Sequence, residues 1–269
     1  MSDDPPPYRK IDTLRLAGDE RIPATATVIE EVPICLRYNA IPHVVLMATP
    51  ADLQDLAIGF SITDGICHPG EIERCTHTSE EGAFALDVQL APPAFARFLQ
   101  RRQRRPTRSY TSCGICGIED IQSLPQIQPI AAGKISPAAL RRALKSLPDH
   151  QPLNRLTGAV HAAAFVAPDG EIVCVREDVG RHNALDKLIG ARARLPAEQH
   201  AGFCLVTSRC SFEMVQKTTA AGMTLLVCIS APTTLAITEA ERAGLALVAL
   251  ARADNQTVYV GRQHLADEG

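Results

Sequence analysis

Two cysteines, Cys113 and Cys116, stand in the stretch YTSCGICGIED, spaced C-x-x-C and each followed by glycine. Directly upstream, RFLQRRQRRPTRS carries six arginines between Arg97 and Arg108. Arginine beside a thiol favours the thiolate, the form that attacks sulfur and binds metals. Gly114 and Gly117 give the segment conformational reach. Three chemistries use such a pair. Zinc binding needs two further ligands. Cys67, His68, Cys75 and His77 are available, but in a spacing that matches no common zinc site. The H-x-E that accompanies C-x-x-C in zinc nucleobase deaminases occurs nowhere in the chain. Dithiol–disulfide exchange places the pair at a strand-to-helix junction, and no amphipathic helix pattern follows it here. Sulfur carriage, in which a thiolate accepts sulfane sulfur as a persulfide and hands it on, asks for a reachable cysteine with a second thiol close by. The bland reading is a solvated basic loop with incidental cysteines. On the residues alone all four stay open.

A second set of candidates lies further along. CVREDVGRHNA, VTSRCSFEM and CISAPTTLA each run from an apolar strand pattern through a short polar turn into a helix pattern. On one edge of a sheet, such turns present the unpaired N–H groups and positive dipole ends of helix N-termini. Ligands of open α/β sheets bind at that edge. Gly180, Arg181, His182 and Asn183 occupy the first turn, Ser208, Arg209 and Ser211 the second, and Ser230, Thr233 and Thr234 the third. Arginines among hydroxyls and open amides suit a phosphate. The competing explanation is that the hydroxyls only cap helices. Glu177, Asp178, Arg181 and His182 crowd one turn, as in a site wall, or as in a pair that stiffens the turn. His161, alone at a strand start, reads as structural. No Walker loop or Gly-rich dinucleotide fingerprint is present.

These residues need a scaffold. The patterns predict strands over 24–49, in TATVIEEVPICLRYN and PHVVLMAT, and then a helix with Thr49 as N-cap and Gly65 as its stop. A strand follows at FALDVQL. Beyond it a helix capped by Ser136, a hairpin turning at Pro168-Asp169-Gly170, and alternating helices and strands to TVYV predict a layered α/β fold with a mainly parallel sheet. The expected division is a disordered, proline-rich tail over 1–20, a β-rich N-terminal subdomain with the C-x-x-C loop over 21–130, and an α/β ligand-binding domain over 131–269. The chain has 269 residues, 46% hydrophobic and 21% charged, with a net charge of −3. That is ordinary for a globular protein, and it excludes a general electrostatic pull on nucleic acid. No apolar run is long enough for a membrane span. Nine cysteines, an odd number, with no export signal, point to free thiols in the cytoplasm. Cys35, Cys174, Cys204 and Cys228 sit in apolar runs and read as small core side chains.

The segments LMATPADLQDLAIGFSITDGI, TSCGICG, LTGAVHAAAF, REDVGRHNALDKLIG, SRCSFEMVQK and SAPTTLAITEAERAG, in this order, resemble the FdhD family, accessory sulfurtransferases of formate dehydrogenase. The resemblance spans roughly residues 20 to 260. It implies a sulfur relay in which Cys113 bears the persulfide and Cys116 helps. A cysteine desulfurase would supply the sulfur, and the molybdenum or tungsten bis-guanine dinucleotide cofactor would be the ligand that receives it. Without the sulfur step, the same resemblance would leave a cofactor-binding chaperone. The family's cofactor stretch maps onto Leu250, Ala251, Arg252, Ala253, Asp254 and Asn255, where Ala249-Leu250 replaces the family's usual glycine-phenylalanine. With the polar turns, the expected contacts are Arg181, Arg209 and Arg252 for anions, lined by His182, Asn183, Ser208 and Thr233. The resemblance further implies a homodimer, the catalytic subunit of formate dehydrogenase as recipient, no permanently bound metal, no nucleic-acid or membrane partner, and a second half similar to cytidine deaminases.

Overall fold

The computed structural model describes residues 6–80, 82–104, 127, 129–130, 134 and 136–266. Cys113 and Cys116, with Arg105 and Arg108, lie outside the described residues. The chain opens on a hairpin, β1 (Tyr8–Ala17) and β2 (Glu20–Ile29), paired in antiparallel register from Tyr8↔Ile29 to Ala17↔Glu20. This corrects the expectation of a tail over 1–20. Gly18, with a φ of 62°, supplies the left-handed turn that a two-residue hairpin loop requires, and ten residues pair beyond it.

A four-stranded sheet follows, in the order β4-β3-β6-β5, built from β3 (Val32–Tyr38), β4 (Ile41–Ala48), β5 (Ile72–Glu80) and β6 (Ala83–Leu90). Alternation sends Ile34, Leu36 and Tyr38 of β3, and Phe84, Leu86, Val88 and Leu90 of β6, to one face, as period-2 patterning dictates. Helices α1 (Leu53–Thr63) and α2 (Pro92–Arg104) cover that face through Leu56, Phe60, Ala94 and Phe98. Two expectations change here. From Arg97 to Arg104 the arginine stretch belongs to a helix rather than to a loop. Its apolar side is buried, while Arg97 pairs with Glu71 at 2.6 Å, Arg101 with Asp64 at 3.5 Å, and Arg102 donates to the Pro42 carbonyl at 2.6 Å. And α1 starts at Leu53 with Asp52, not Thr49, as N-cap, because the Thr49 hydroxyl accepts from the Val179 amide instead.

The second half is a three-layer sandwich. Helix α3 (Pro137–Ser146) starts at Ser136, whose hydroxyl accepts from the Ala139 amide at 3.3 Å, and α4 (Pro152–Thr157) follows. Then come β7 (His161–Val166), β8 (Ile172–Asp178), α5 (Arg181–Ala193), β9 (Phe203–Val206), α6 (Phe212–Ala220), β10 (Leu225–Cys228), α7 (Thr234–Ala243), β11 (Ala246–Ala249) and β12 (Thr257–Val260). The sheet order is β12-β11-β10-β9-β7-β8. The sheet is mixed rather than mainly parallel: β9, β10 and β11 pair in parallel, while β7 is antiparallel to both its neighbours and β12 to β11. The β7–β8 hairpin and the short return to β12 impose this, since tight connections can join only antiparallel strands. Strands β9, β10 and β11 are buried on both faces. α5, α6 and α7 pack on one side and α3 on the other.

α1 joins the halves by crossing α5 at glycine on glycine. A Cβ at Gly59 would lie 1.7 Å from the Asp186 carbonyl oxygen, and one at Gly190 1.9 Å from that of Asp55. No helix among the described residues is long and apolar enough to cross a membrane.

Candidate functional site

Because β7 runs against β8 and β9, the C-terminal ends of β8, β9, β10 and β11 share one edge with the start of β7. Pairing continues past the strands and stitches the turns into a row. The Thr207 amide donates to Ala162 O, Ile229 N to Val206 O, Cys210 N to Ala231 O, Thr233 N to Cys210 O and Leu250 N to Ser230 O, at 2.9–3.2 Å. All three turns read from the sequence therefore meet on this edge, joined by 250–255 as a fourth.

The turn into α5 is the richest. Asp178 is fully buried and ion-paired at 2.6 Å to Lys187, itself fully buried. The same carboxylate accepts from the Gly180 amide at 2.8 Å, the Asn183 side chain at 3.2 Å and, across the junction of the halves, the Thr49 amide at 3.0 Å. Lys187 also donates to Thr49 O at 3.0 Å, and Asn183 to Met47 O at 2.8 Å. Asn183 thus clips the two halves together. A second buried pair lies beneath: Lys217 of α6 holds both Asp186 oxygens at 2.7 Å, and the Thr63 hydroxyl of α1 donates to Asp186 at 2.7 Å. Burial pushes the Asp186 carboxyl up, and Lys217 and Thr63 work against the rise. Glu177, also raised by burial, accepts from the Leu153 and Asn154 amides at 2.8 Å and so caps α4. The pair that stiffens the turn is Asp178–Lys187.

Above these pairs, polar groups are left over. His182 is only 4% exposed, yet neither ring nitrogen has a hydrogen-bond partner among the described residues. Arg181 Nε is likewise buried without a partner, and Arg181 forms no ion pair among the described residues. Burial first, then the charges of Lys217, Arg181 and His161, push His182 down to about 3. His161, opposite Asp178 in the β7–β8 register, is also lowered, by burial and then by Arg181. The first turn of α5 begins at Gly180 with no side-chain cap. An uncapped helix N-terminus, an unpaired guanidinium and a neutral imidazole make an anion seat.

The other predicted residues divide. Arg209 is exposed on the edge, and the buried Ser208 hydroxyl donates to Arg209 O at 3.1 Å. Thr233 caps α7, accepting from the Ala236 amide at 3.2 Å, while Ser211 donates to Glu213 at 2.6 Å. Leu250 is 45% exposed with a left-handed φ of 50°, a strained backbone for leucine. Ala251 is buried, and Ala253, Asp254 and Asn255 close a short loop in which the Arg252 and Asn255 backbones bond reciprocally. Arg252 Nη1 donates to the Ile229 and Ala251 carbonyls, so this arginine ties the fourth turn to the third. Sequence reasoning missed Lys187, Lys217, Thr49 and Thr63.

A separate cleft of about 350 Å³ opens at the N-terminus of α1, where Arg176 and Arg194 meet Asp52 and Asp55. Its cations are balanced by carboxylates, unlike Arg181 and Arg209, which form no ion pair among the described residues. Among the described residues no three His, Cys, Asp or Glu side chains are grouped to hold a metal ion. Cys67 is instead buried and Cys75 half-buried, their thiols pushed up to about 12 and about 11 by burial.

Fold and edge together define a layered α/β protein with an uncapped, cation-rich helix terminus where its strands end. The chain belongs to the FdhD/NarQ family, whose model matches residues 29–266. It is similar to the sulfur carrier protein FdhD of Xanthomonas campestris pv. campestris strain B100, 43% identical over 267 residues that cover 96% of this chain and 94% of the relative. It is also similar to the sulfur carrier protein FdhD of Cupriavidus necator, 41% identical with 98% and 92% covered, and to that of Variovorax paradoxus, 44% identical with 86% and 84% covered. A solved structure from Desulfotalea psychrophila, described as a formate dehydrogenase accessory protein, has the same fold, with a TM-score of 0.75 at 20% identity over 97% of this chain and 100% of the other.

Proposed function

We propose that this chain is a cytoplasmic sulfur carrier that activates formate dehydrogenase. The observation that carries the reading is its membership, across residues 29–266, of a family whose relatives are named sulfur carriers over nearly the same length. In the proposed cycle the Cys113 thiolate attacks the outer sulfur of a cysteine desulfurase persulfide. The desulfurase S–S bond breaks, its cysteine leaves as thiolate, and Cys113 keeps the sulfur as its own persulfide. Cys116 is the second thiol that assists release. The recipient substrate is a molybdenum or tungsten bis-guanine dinucleotide cofactor. Its phosphates suit the strand edge, where Arg181 and His182 hold buried nitrogens without partners among the described residues and Arg209 stands exposed. A homodimer and the catalytic subunit of formate dehydrogenase complete the proposed assembly.

The test is incubation with a cysteine desulfurase and sulfur-labelled cysteine. Label should appear on Cys113, as one added sulfur in the intact mass, and leave with reductant. Cys113→Ala should gain none while keeping its fold. An unlabelled wild-type protein would point to a chaperone without sulfur chemistry and end the carrier reading.

A further inference from the structure

The first turn of α5 holds an imidazole whose surroundings are chemically one-sided. The charged groups whose fields reach His182 are Lys217 from α6 and Arg181 from its own turn, and His161 of β7 is the titratable neighbour. The nearby carboxylates are committed elsewhere, Asp178 to Lys187 and Asp186 to Lys217. The ring is buried with both nitrogens unpartnered among the described residues. A neutral imidazole has one donor and one acceptor, whereas a phosphate offers only acceptors. Against a phosphate, a neutral ring leaves one nitrogen unsatisfied, at a cost of about 1–3 kcal/mol. A protonated ring satisfies both and gains a charge-assisted bond.

We propose that His182 takes up one proton from solvent when an anionic ligand seats on the first turn of α5, so that ligand binding at the strand edge is coupled to protonation of this ring. The inference rests on the phosphate-bearing ligand of the proposed function. In the free protein, burial and the charges of Lys217 and Arg181 keep the ring neutral. A bound anion cancels those cations and moves the ring upward, toward the physiological range. Affinity then rises as pH falls between the bound-state and free-state titrations, by at most about tenfold per pH unit for one proton.

Guanosine diphosphate is the probe, titrated calorimetrically into the full chain in buffers of different ionisation enthalpy, at several pH values from about 6 to about 8. The wild-type protein should take up close to one proton at the acid end. His182→Gln, which keeps a donor and an acceptor but cannot titrate, should bind with no uptake, and His161→Gln should retain it. Histidine ¹⁵N spectra of the wild-type protein read the same event as one ring passing from neutral to cationic on binding, whether or not the variants fold. Absence of binding sinks the coupling and the ligand reading together. Binding without proton uptake, or with uptake unchanged in His182→Gln, overturns the coupling alone.

Discussion

Replacing Lys187 with methionine removes one charge from the floor beneath the α5 turn and keeps most of the side-chain length. In the native protein its ammonium lies 2.6 Å from Asp178 with both side chains fully buried, and it donates to Thr49 O at 3.0 Å. Breaking a buried pair from one side costs about 3–5 kcal/mol, because the other charge stays buried. Here the orphaned carboxylate keeps three N–H donors, from Thr49, Gly180 and Asn183, which places the loss near the lower bound. The Thr49 carbonyl keeps the Ala51 amide at 2.8 Å, and the loss of its bond to Lys187 adds roughly 1 kcal/mol. The expected destabilisation is therefore about 4 kcal/mol. Adding Asp178→Asn removes the uncompensated charge, and a coupling of about 2 kcal/mol should appear in the double-mutant cycle. The chain has no tryptophan, so urea unfolding followed by circular dichroism is the suitable assay. A single-variant loss under about 1 kcal/mol would mean that the pair behaves as a solvated one, and the reasoning would fail.

Acid should weaken the fold through His182. Its folded-state value is depressed to about 3 against about 6.5 in the unfolded chain. The unfolded state therefore binds the extra proton, and stability falls as pH drops from about 6.5 toward 3, by up to about 1.4 kcal/mol per unit. Urea midpoints measured across that window for wild type and His182→Gln check it, the variant having the shallower slope. Gly190→Ala would place a Cβ 1.9 Å from Asp55 O, against backbone that cannot swing aside. The expected loss of about 3 kcal/mol would appear as a melting point lowered by roughly 10 °C. Ser136→Ala removes the α3 cap and should cost about 1 kcal/mol in the same melt.

The elements most legible in the sequence were those whose signals were local. The Pro168-Asp169-Gly170 turn, the Ser136 cap and the apolar strands of the second half each carry their determinants within a few residues, and the three polar turns follow from them. The first hairpin was read as a tail because its strands are largely exposed, so burial leaves little apolar pattern to see. The helix over 92–104 is hard to see in the sequence because its arginines outweigh the few apolar positions, Ala94 and Phe98, that fix it. Thr49 looked like a helix cap, since its true partners, Asp178, Val179 and Lys187, lie far away in sequence. Lys187 and Lys217 were invisible for a different reason. A lysine in a helix pattern is presumed solvated, and burial of one is rare unless it is paired. The site was thus legible in its upper layer, Arg181 and His182, and hidden in the pairs that support it.

That support fixes when the protein becomes competent as it is made. On the ribosome α1 emerges long before α5, and its glycine face and Asp55 stay in water until α5 arrives. Even then Asp186 has no counter-charge until Lys217 of α6 follows. A chain released early, or cut between the halves and separated, would lack Met47 and Thr49 beneath the α5 turn, or Lys217 behind it. Truncated products could therefore not hold the α5 turn in shape, and the strand edge would form only in a chain that carries both halves.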